Sequence, residues 1–244
     1  MSIKTDALII REYHVGEADR FVVALTRELG VIHASAKGAR KIKSRNSTAT
    51  SMLAYSHLAL TESRDKYIVT EARPERLFYS SETDLTVLSL SQYFCELAGV
   101  LAPREEPAED QLRLLLNALH LLTEGKKDPI LTKAVVEWRL LTDAGYMPDL
   151  TGCCRCGSTI GPFAFHTTDG DLTCKQCGAK NSAVVISPTA LDAMRYVQSA
   201  PIEKLFSFTV TQEACEQFAA VSEQFLLRQL NRTFKTLDFY RSLL

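Results

Sequence analysis

Arg20-Phe21-Val22-Val23-Ala24-Leu25-Thr26 is followed by a turn at Gly30 and then by Val31-Ile32-His33-Ala34-Ser35-Ala36. Two short runs rich in β-branched residues around a glycine predict a pair of strands. Upstream, Asp6–Tyr13 reads as another strand. Downstream, Tyr55–Thr61 alternates polar and apolar with period two, and Lys66–Ala72 follows a short polar turn. Five short strands and no long helix in residues 1–80 predict a small closed barrel of the OB type, because closure abolishes exposed sheet edges.

The pattern changes near Ser80. Ser81-x-x-Asp84 is a capping signal for a helix running to Leu101, and Pro103-Arg104-Glu105-Glu106-Pro107 breaks it. Glu109–Thr123 carries Leu112, Leu115, Leu116, Leu119 and Leu122 at helical spacing. Asp128-Pro129 is an N-cap with proline at the first helical position, opening a helix with Leu131, Val135, Trp138 and Leu141 that ends at Gly145. These helices are apolar nearly all round, so they are expected in the core, Trp138 included. Ser187-Pro188 caps a helix to Ser199, and Thr211 begins another to Gln229. The expected organisation is α+β and multidomain: an OB-fold barrel over 1–80, a helical domain in two parts over 81–150 and 184–244, and an inserted ribbon over 151–183.

The ribbon is predicted from cysteines. Cys153-x2-Cys156 and Cys174-x2-Cys177 are two knuckles separated by 17 residues. Each knuckle can point two thiolates at one ion, and zinc takes four in a tetrahedron. Gly157 and Gly178 follow the knuckles, where positive φ is often needed. Asp169-Gly170 between Phe163-Ala164-Phe165 and Leu172-Thr173 predicts a hairpin. Four cysteines leave no open position for a catalytic water, so the expected cofactor is one structural Zn2+ per chain. Cys154 is a spare, and His166 is expected to be exposed rather than ligating. With seven cysteines, an odd number, five of them within 25 residues, the chain does not read as an extracellular disulfide framework. Redox use of one knuckle lacks the βαβ context it would need.

The formal net charge of −1 hides a gradient. Residues 1–80 hold 13 basic and 9 acidic side chains, 81–150 hold 6 and 12, and 151–244 hold 9 and 8, giving +4, −6 and +1. An anionic partner is therefore expected at the N-terminal end. Lys37, Arg40, Lys41, Lys43 and Arg45 place five cations in nine residues directly after a barrel strand. Beside Gly38 and Asn46-Ser47-Thr48 they predict a mobile DNA-binding loop. Loops of OB barrels beside aromatic faces are the usual seat of single-strand binding, and Tyr13, Phe21, Tyr55 and Tyr67 are the candidate aromatics. The chain has no apolar stretch long enough to span a bilayer and no basic-then-apolar start, so the expected location is cytoplasmic and nucleoid-associated, without membrane.

Catalytic patterns are missing. His14, His33, His57, His120 and His166 have no neighbouring nucleophile or carboxylate pattern in sequence, and no phosphate-loop or nucleophile-elbow motif occurs. The expectation is a binding protein, not an enzyme. An alternative is an adaptor whose main role is protein–protein docking.

Ala7-Leu8-Ile9-Ile10-Arg11, Gly16-Glu17-Ala18-Asp19-Arg20, Gly30, Ala36–Lys41, and Trp138–Leu150 leading into Cys153-x2-Cys156-Gly157 form one ordered pattern, with Lys235–Phe239 near the end. This pattern resembles the RecO family of bacterial recombination mediators. The resemblance covers essentially the whole chain. It implies binding of single- and double-stranded DNA, annealing of complementary strands, and help in loading recombinase onto DNA coated with single-strand-binding protein, so that recombinase is an indirect partner. It also implies as partners RecR and the acidic C-terminal tail of the single-strand-binding protein. Such a tail needs an apolar pocket with cations at its rim, for which Arg113, Lys133 and Arg139 are candidates.

Overall fold

The computed structural model describes residues 2–63, 66–79, 83–178 and 183–244. The chain forms two compact units. One is Met1–Lys126 with Phe234–Leu244, and the other is Lys127–Thr233.

In the first unit five strands close into a barrel: β1 (Ser2–Val15), β2 (Asp19–Thr26), β3 (Gly30–Ala36), β4 (Ala54–Ser63) and β5 (Lys66–Leu77). Their hydrogen-bonded order is β1-β2-β3-β5-β4, and β4 returns to pair with β1. Only the β3–β5 pairing is parallel. This is the expected OB barrel, with strands longer than their apolar runs. Its interior is narrow, and small residues fill it: Ala7, Ala24, Ala34, Ala36, Ala54 and Ala72 pack with Ile9, Val22, Leu58 and Leu60. The register of β1 on β2 shifts between Ile9 and Arg11. Such a bulge re-aims the side chains beyond it, and Arg11 and Tyr13 both emerge on the outside, exposed.

Helices α1 (Leu85–Leu101), α2 (Glu109–Thr123) and a short C-terminal helix, here numbered α6 (Lys235–Arg241), complete this unit. Asp84 is the N-cap of α1 and accepts N–H bonds from Thr86 and Val87. Ser81 lies outside the described residues. The proline-bounded segment after α1 is not merely a solvated breaker. Val31 donates to the Pro103 carbonyl at 2.8 Å, Glu105 to Leu29 at 3.0 Å and Ala108 to Arg27 at 2.9 Å, so the segment is hydrogen-bonded along the β2–β3 turn.

The second unit holds α3 (Pro129–Asp143), β6 (Phe163–His166), β7 (Asp171–Cys174), β8 (Ala183–Ile186), α4 (Pro188–Ser199) and α5 (Gln212–Leu230). The caps Asp128, Ser187 and Thr211 each accept a backbone N–H as the sequence predicts. Trp138 is fully buried, with Phe165, Phe218 and Phe225 at 5.8, 5.9 and 5.5 Å between ring centroids. Two elements went unforeseen, β8 and α6. The strand β8 pairs with β6, making a three-stranded sheet in the order β7-β6-β8. Among the described residues no helix is long and apolar enough to cross a membrane.

Gly30 has φ +63°, and a Cβ there would lie 2.2 Å from the Pro103 carbonyl oxygen. Gly30→Ala must therefore strain the backbone and part the β2–β3 turn from the segment after α1. The expected cost is about 2–3 kcal/mol in denaturant unfolding; a variant as stable as the parent would contradict this packing.

Candidate functional site

Lys37, Arg40, Lys41, Lys43 and Arg45 all lie exposed on the segment between β3 and β4. The segment is pinned at both ends rather than loose. At its start Gly38 N–H donates to Asp19 Oδ1 at 2.7 Å and Arg40 N–H to the Ala18 carbonyl at 2.9 Å, folding it over the β1–β2 turn. Successive turns follow, Lys41 N–H to Gly38 O and Ser44 N–H to Lys41 O. At its end Asn46 Oδ1 accepts the Ala72 N–H at 3.1 Å, and Arg20 Nη1 donates to Ser47 O at 2.7 Å and Thr50 Oγ1 at 3.1 Å. Arg40 Nη1 reaches the Gly16 carbonyl at 3.1 Å, which leaves its charge uncancelled. None of the five cations pairs with a carboxylate among the described residues. Like charges gathered without a counter-charge repel one another and attract polyanions.

Cys153, Cys156, Cys174 and Cys177 come together in the second unit. Their sulfurs all lie within 4.8 Å of one another, and Cys156 Sγ is 3.7 Å from Cys174 Sγ. A tetrahedron of thiolates around zinc at about 2.3 Å has edges of roughly 3.8 Å, so the four thiols can hold a metal ion. Both knuckle glycines have positive φ, +71° at Gly157 and +73° at Gly178. The knuckles are tied together: Arg155 Nη1 donates to the Cys177 carbonyl at 2.7 Å, and Cys154 N–H donates to Leu172 O at 2.8 Å. Backbone N–H groups, that of Cys174 foremost, lower the Cys153 thiol to about 6. Hydrogen bonding with the Cys156 and Cys174 sulfurs pushes Cys177 up to about 12. Cys153 is therefore the more readily ionised of these two, and a cation bound here would have to displace the Cys177 proton.

The ribbon is not a free appendage. Phe165 of β6 packs in the Trp138 cluster, Arg228 Nη1 donates to Thr168 Oγ1 at 2.7 Å, and Gln229 Nε2 donates to Thr168 O at 2.9 Å. His166, expected to be exposed, is buried at 1% exposure. With β7 on one side and β8 on the other, β6 is covered throughout, and His166 Nε2 meets Thr173 Oγ1 at 2.8 Å.

The three cations considered for an acidic tail are differently placed. Arg113 lies on α2 in the first unit. Lys133 is buried, its ammonium 2.8 Å from Glu137 Oε1 and 2.6 Å from Glu223 Oε2. Burial opposes its charge, but the two carboxylates prevail and its pKa is raised. Arg139 donates to Asp143 Oδ1 and to the Ala200 carbonyl, at 2.8 and 2.7 Å. The charge of Lys133 is thus met within the fold.

One histidine has acidic neighbours that the sequence hid. His57 Nδ1 is 2.6 Å from Asp6 Oδ1 and its Nε2 is 3.4 Å from Glu75 Oε2. The Asp6 hydrogen bond raises its pKa first of all. Both nitrogens are occupied and the charged form is favoured, which makes it a poor general base.

An OB barrel with a pinned cationic loop, followed in the chain by helices and a four-cysteine ribbon, defines a multidomain α+β protein with a candidate nucleic-acid face and a candidate metal centre. The chain matches "Recombination protein O N terminal" over residues 1–78 and "Recombination protein O C terminal" over residues 82–238. The "DNA repair protein RecO" of Acetivibrio thermocellus is 31% identical over 243 residues, covering 99% of this chain and 97% of that protein. Proteins of the same name from Alkaliphilus metalliredigens and Roseiflexus sp. are 28% and 31% identical, over 100% and 97% of this chain and 100% and 84% of theirs. The chain belongs to the RecO family of DNA repair and recombination proteins.

Because Phe165 couples the ribbon to Trp138, the only tryptophan, stripping the metal with a chelator is expected to change Trp138 emission as β6 loosens. Cys174→Ser should show the altered emission without chelator. Emission indifferent to both would contradict the coupling.

Proposed function

We propose that this protein is a non-catalytic recombination mediator that holds DNA on the barrel end bearing Lys37, Arg40, Lys41, Lys43 and Arg45. It binds single- and double-stranded DNA, anneals complementary strands, and acts with RecR to help load recombinase onto DNA coated with single-strand-binding protein. The observation that carries this reading is the run of five exposed cations without carboxylate partners among the described residues, on an OB barrel of a DNA-repair family. The acidic tail of the single-strand-binding protein is a further proposed partner. Lys133, committed to Glu137 and Glu223, would lend it no charge.

The metal is proposed to be zinc in a structural role. Soft thiolates in a four-sulfur set favour it, and the set offers no open position for a reacting water. Metal analysis should find about one zinc per chain; none in carefully prepared protein would contradict this assignment.

The loop is tested by replacing Lys37, Arg40, Lys41 and Lys43 together with Ala. Single-strand affinity should fall, and the log–log salt slope should become shallower by about 0.7 for each phosphate contact removed, up to about 2.8. Zinc content should not change, and annealing should fail. Affinity and slope equal to the parent's would remove the loop from the account.

A further inference from the structure

The outer barrel face beside the loop carries a row of rings. Tyr13 of β1 pairs in register with Phe21 of β2, and their centroids are 6.3 Å apart. Phe21 stacks on His33 of β3, 5.8 Å away with planes 27° apart. Arg11, two residues before Tyr13 on the same face, sits over the Tyr13 ring at 5.2 Å. Inward-pointing neighbours on these strands, Val22, Ala24, Ile32 and Ala34, fill the barrel. Farther along the same outward side of β2, Val23 and Leu25 are buried. The row is where that cover ends: Tyr13 is 43% exposed, His33 is exposed and Phe21 is half-buried. Of the four aromatics named from sequence, Tyr55 instead sits beside His57 on β4, 6.2 Å away.

The row and the basic segment share one end of the barrel. The segment is hydrogen-bonded to Gly16, Ala18 and Asp19, which form and follow the turn joining the strands of Tyr13 and Phe21. Solvent-facing rings edged by cations match a strand whose phosphates lie on one side and whose bases lie on the other. The rings also discriminate by access: bases in a duplex are paired and stacked on one another, so only an unpaired strand can lay base faces on these rings.

We propose that Tyr13, Phe21 and His33 form a stacking platform for unpaired bases, with Arg11 fixing the Tyr13 ring and the Lys37–Arg45 segment holding the phosphates. The proposal rests on the DNA-binding reading above and adds to it where the bases lie and why single strands are preferred over duplex at this face. A strand held this way presents its bases splayed.

The experiment measures binding of an oligothymidylate, the same backbone without bases, and a duplex. Tyr13→Ala and His33→Ala should each weaken oligothymidylate binding about tenfold. They should leave the salt slope, the base-free strand and the duplex unchanged. Both side chains lie outside the barrel core, so the melting temperature should hold. Tyr13→Trp should restore affinity and show emission quenched by oligothymidylate, against buried Trp138 as background. If Tyr13→Ala binds as tightly as the parent while the loop-neutralised variant is weakened, or if it loses as much on the base-free strand, the platform is wrong and the loop stands. If the parent protein binds no strand at all, the DNA-binding reading falls with it.

Discussion

The Asp19 carboxylate accepts the Gly38 N–H, and with the Arg40-to-Ala18 bond it folds the cationic segment back over the β1–β2 turn. The candidate nucleic-acid face depends on this clasp. An unpinned segment would spread its five charges through solvent and lose entropy on meeting a phosphate chain. Held at Gly38 and Arg40 on one side and at Asn46 and Ser47 on the other, it presents the charges already gathered. The barrel makes the clasp possible. Closure of five strands around an alanine-lined interior brings the β1–β2 turn and the end of β3 to the same place, where the ring row also emerges.

The four cysteines serve the other unit in a different way. A three-stranded sheet of four-residue strands cannot bury enough apolar surface to hold itself. Its remedy is double: four knuckle cysteines placed to hold a metal ion, and Phe165 inserted among Trp138, Phe218 and Phe225. The cysteine cluster and the aromatic cluster lie at opposite ends of the same β6–β7 hairpin, since Cys174 pairs with Phe163 and His166 with Asp171 next to the turn. Thr168, in that turn, is held by Arg228 and Gln229 of α5. An ion held by the four cysteines would brace this unit from the end opposite the aromatic cluster.

Much of this was legible wherever structure follows local pattern. Period-two runs marked the barrel strands, cysteine spacing marked the knuckles, and Asp128-Pro129, Ser187-Pro188 and Thr211 marked helix starts. The rest depends on partners far away in sequence. His166 looked exposed because a hairpin seen alone has open faces, yet in the fold it is buried beside Thr173, and the strand β8 that pairs with β6 comes from 17 or more residues downstream. Lys133 looked like a surface cation because Glu223, its second carboxylate, lies on α5. His57 looked solitary because Asp6 reaches it across the β1–β4 pairing. The ring row was hidden for the same reason: Tyr13, Phe21 and His33 become neighbours only once three strands are in register. The short helix α6 offers no side-chain capping bond at Phe234 that a pattern could find.

The most direct test of where DNA lies is photocrosslinking of a single-stranded oligonucleotide to the intact protein, with the attached peptides identified by mass spectrometry. The account places crosslinks within residues 37–45 and at Tyr13 or Phe21. Crosslinks confined to Lys127–Thr233, with the barrel end untouched, would contradict it.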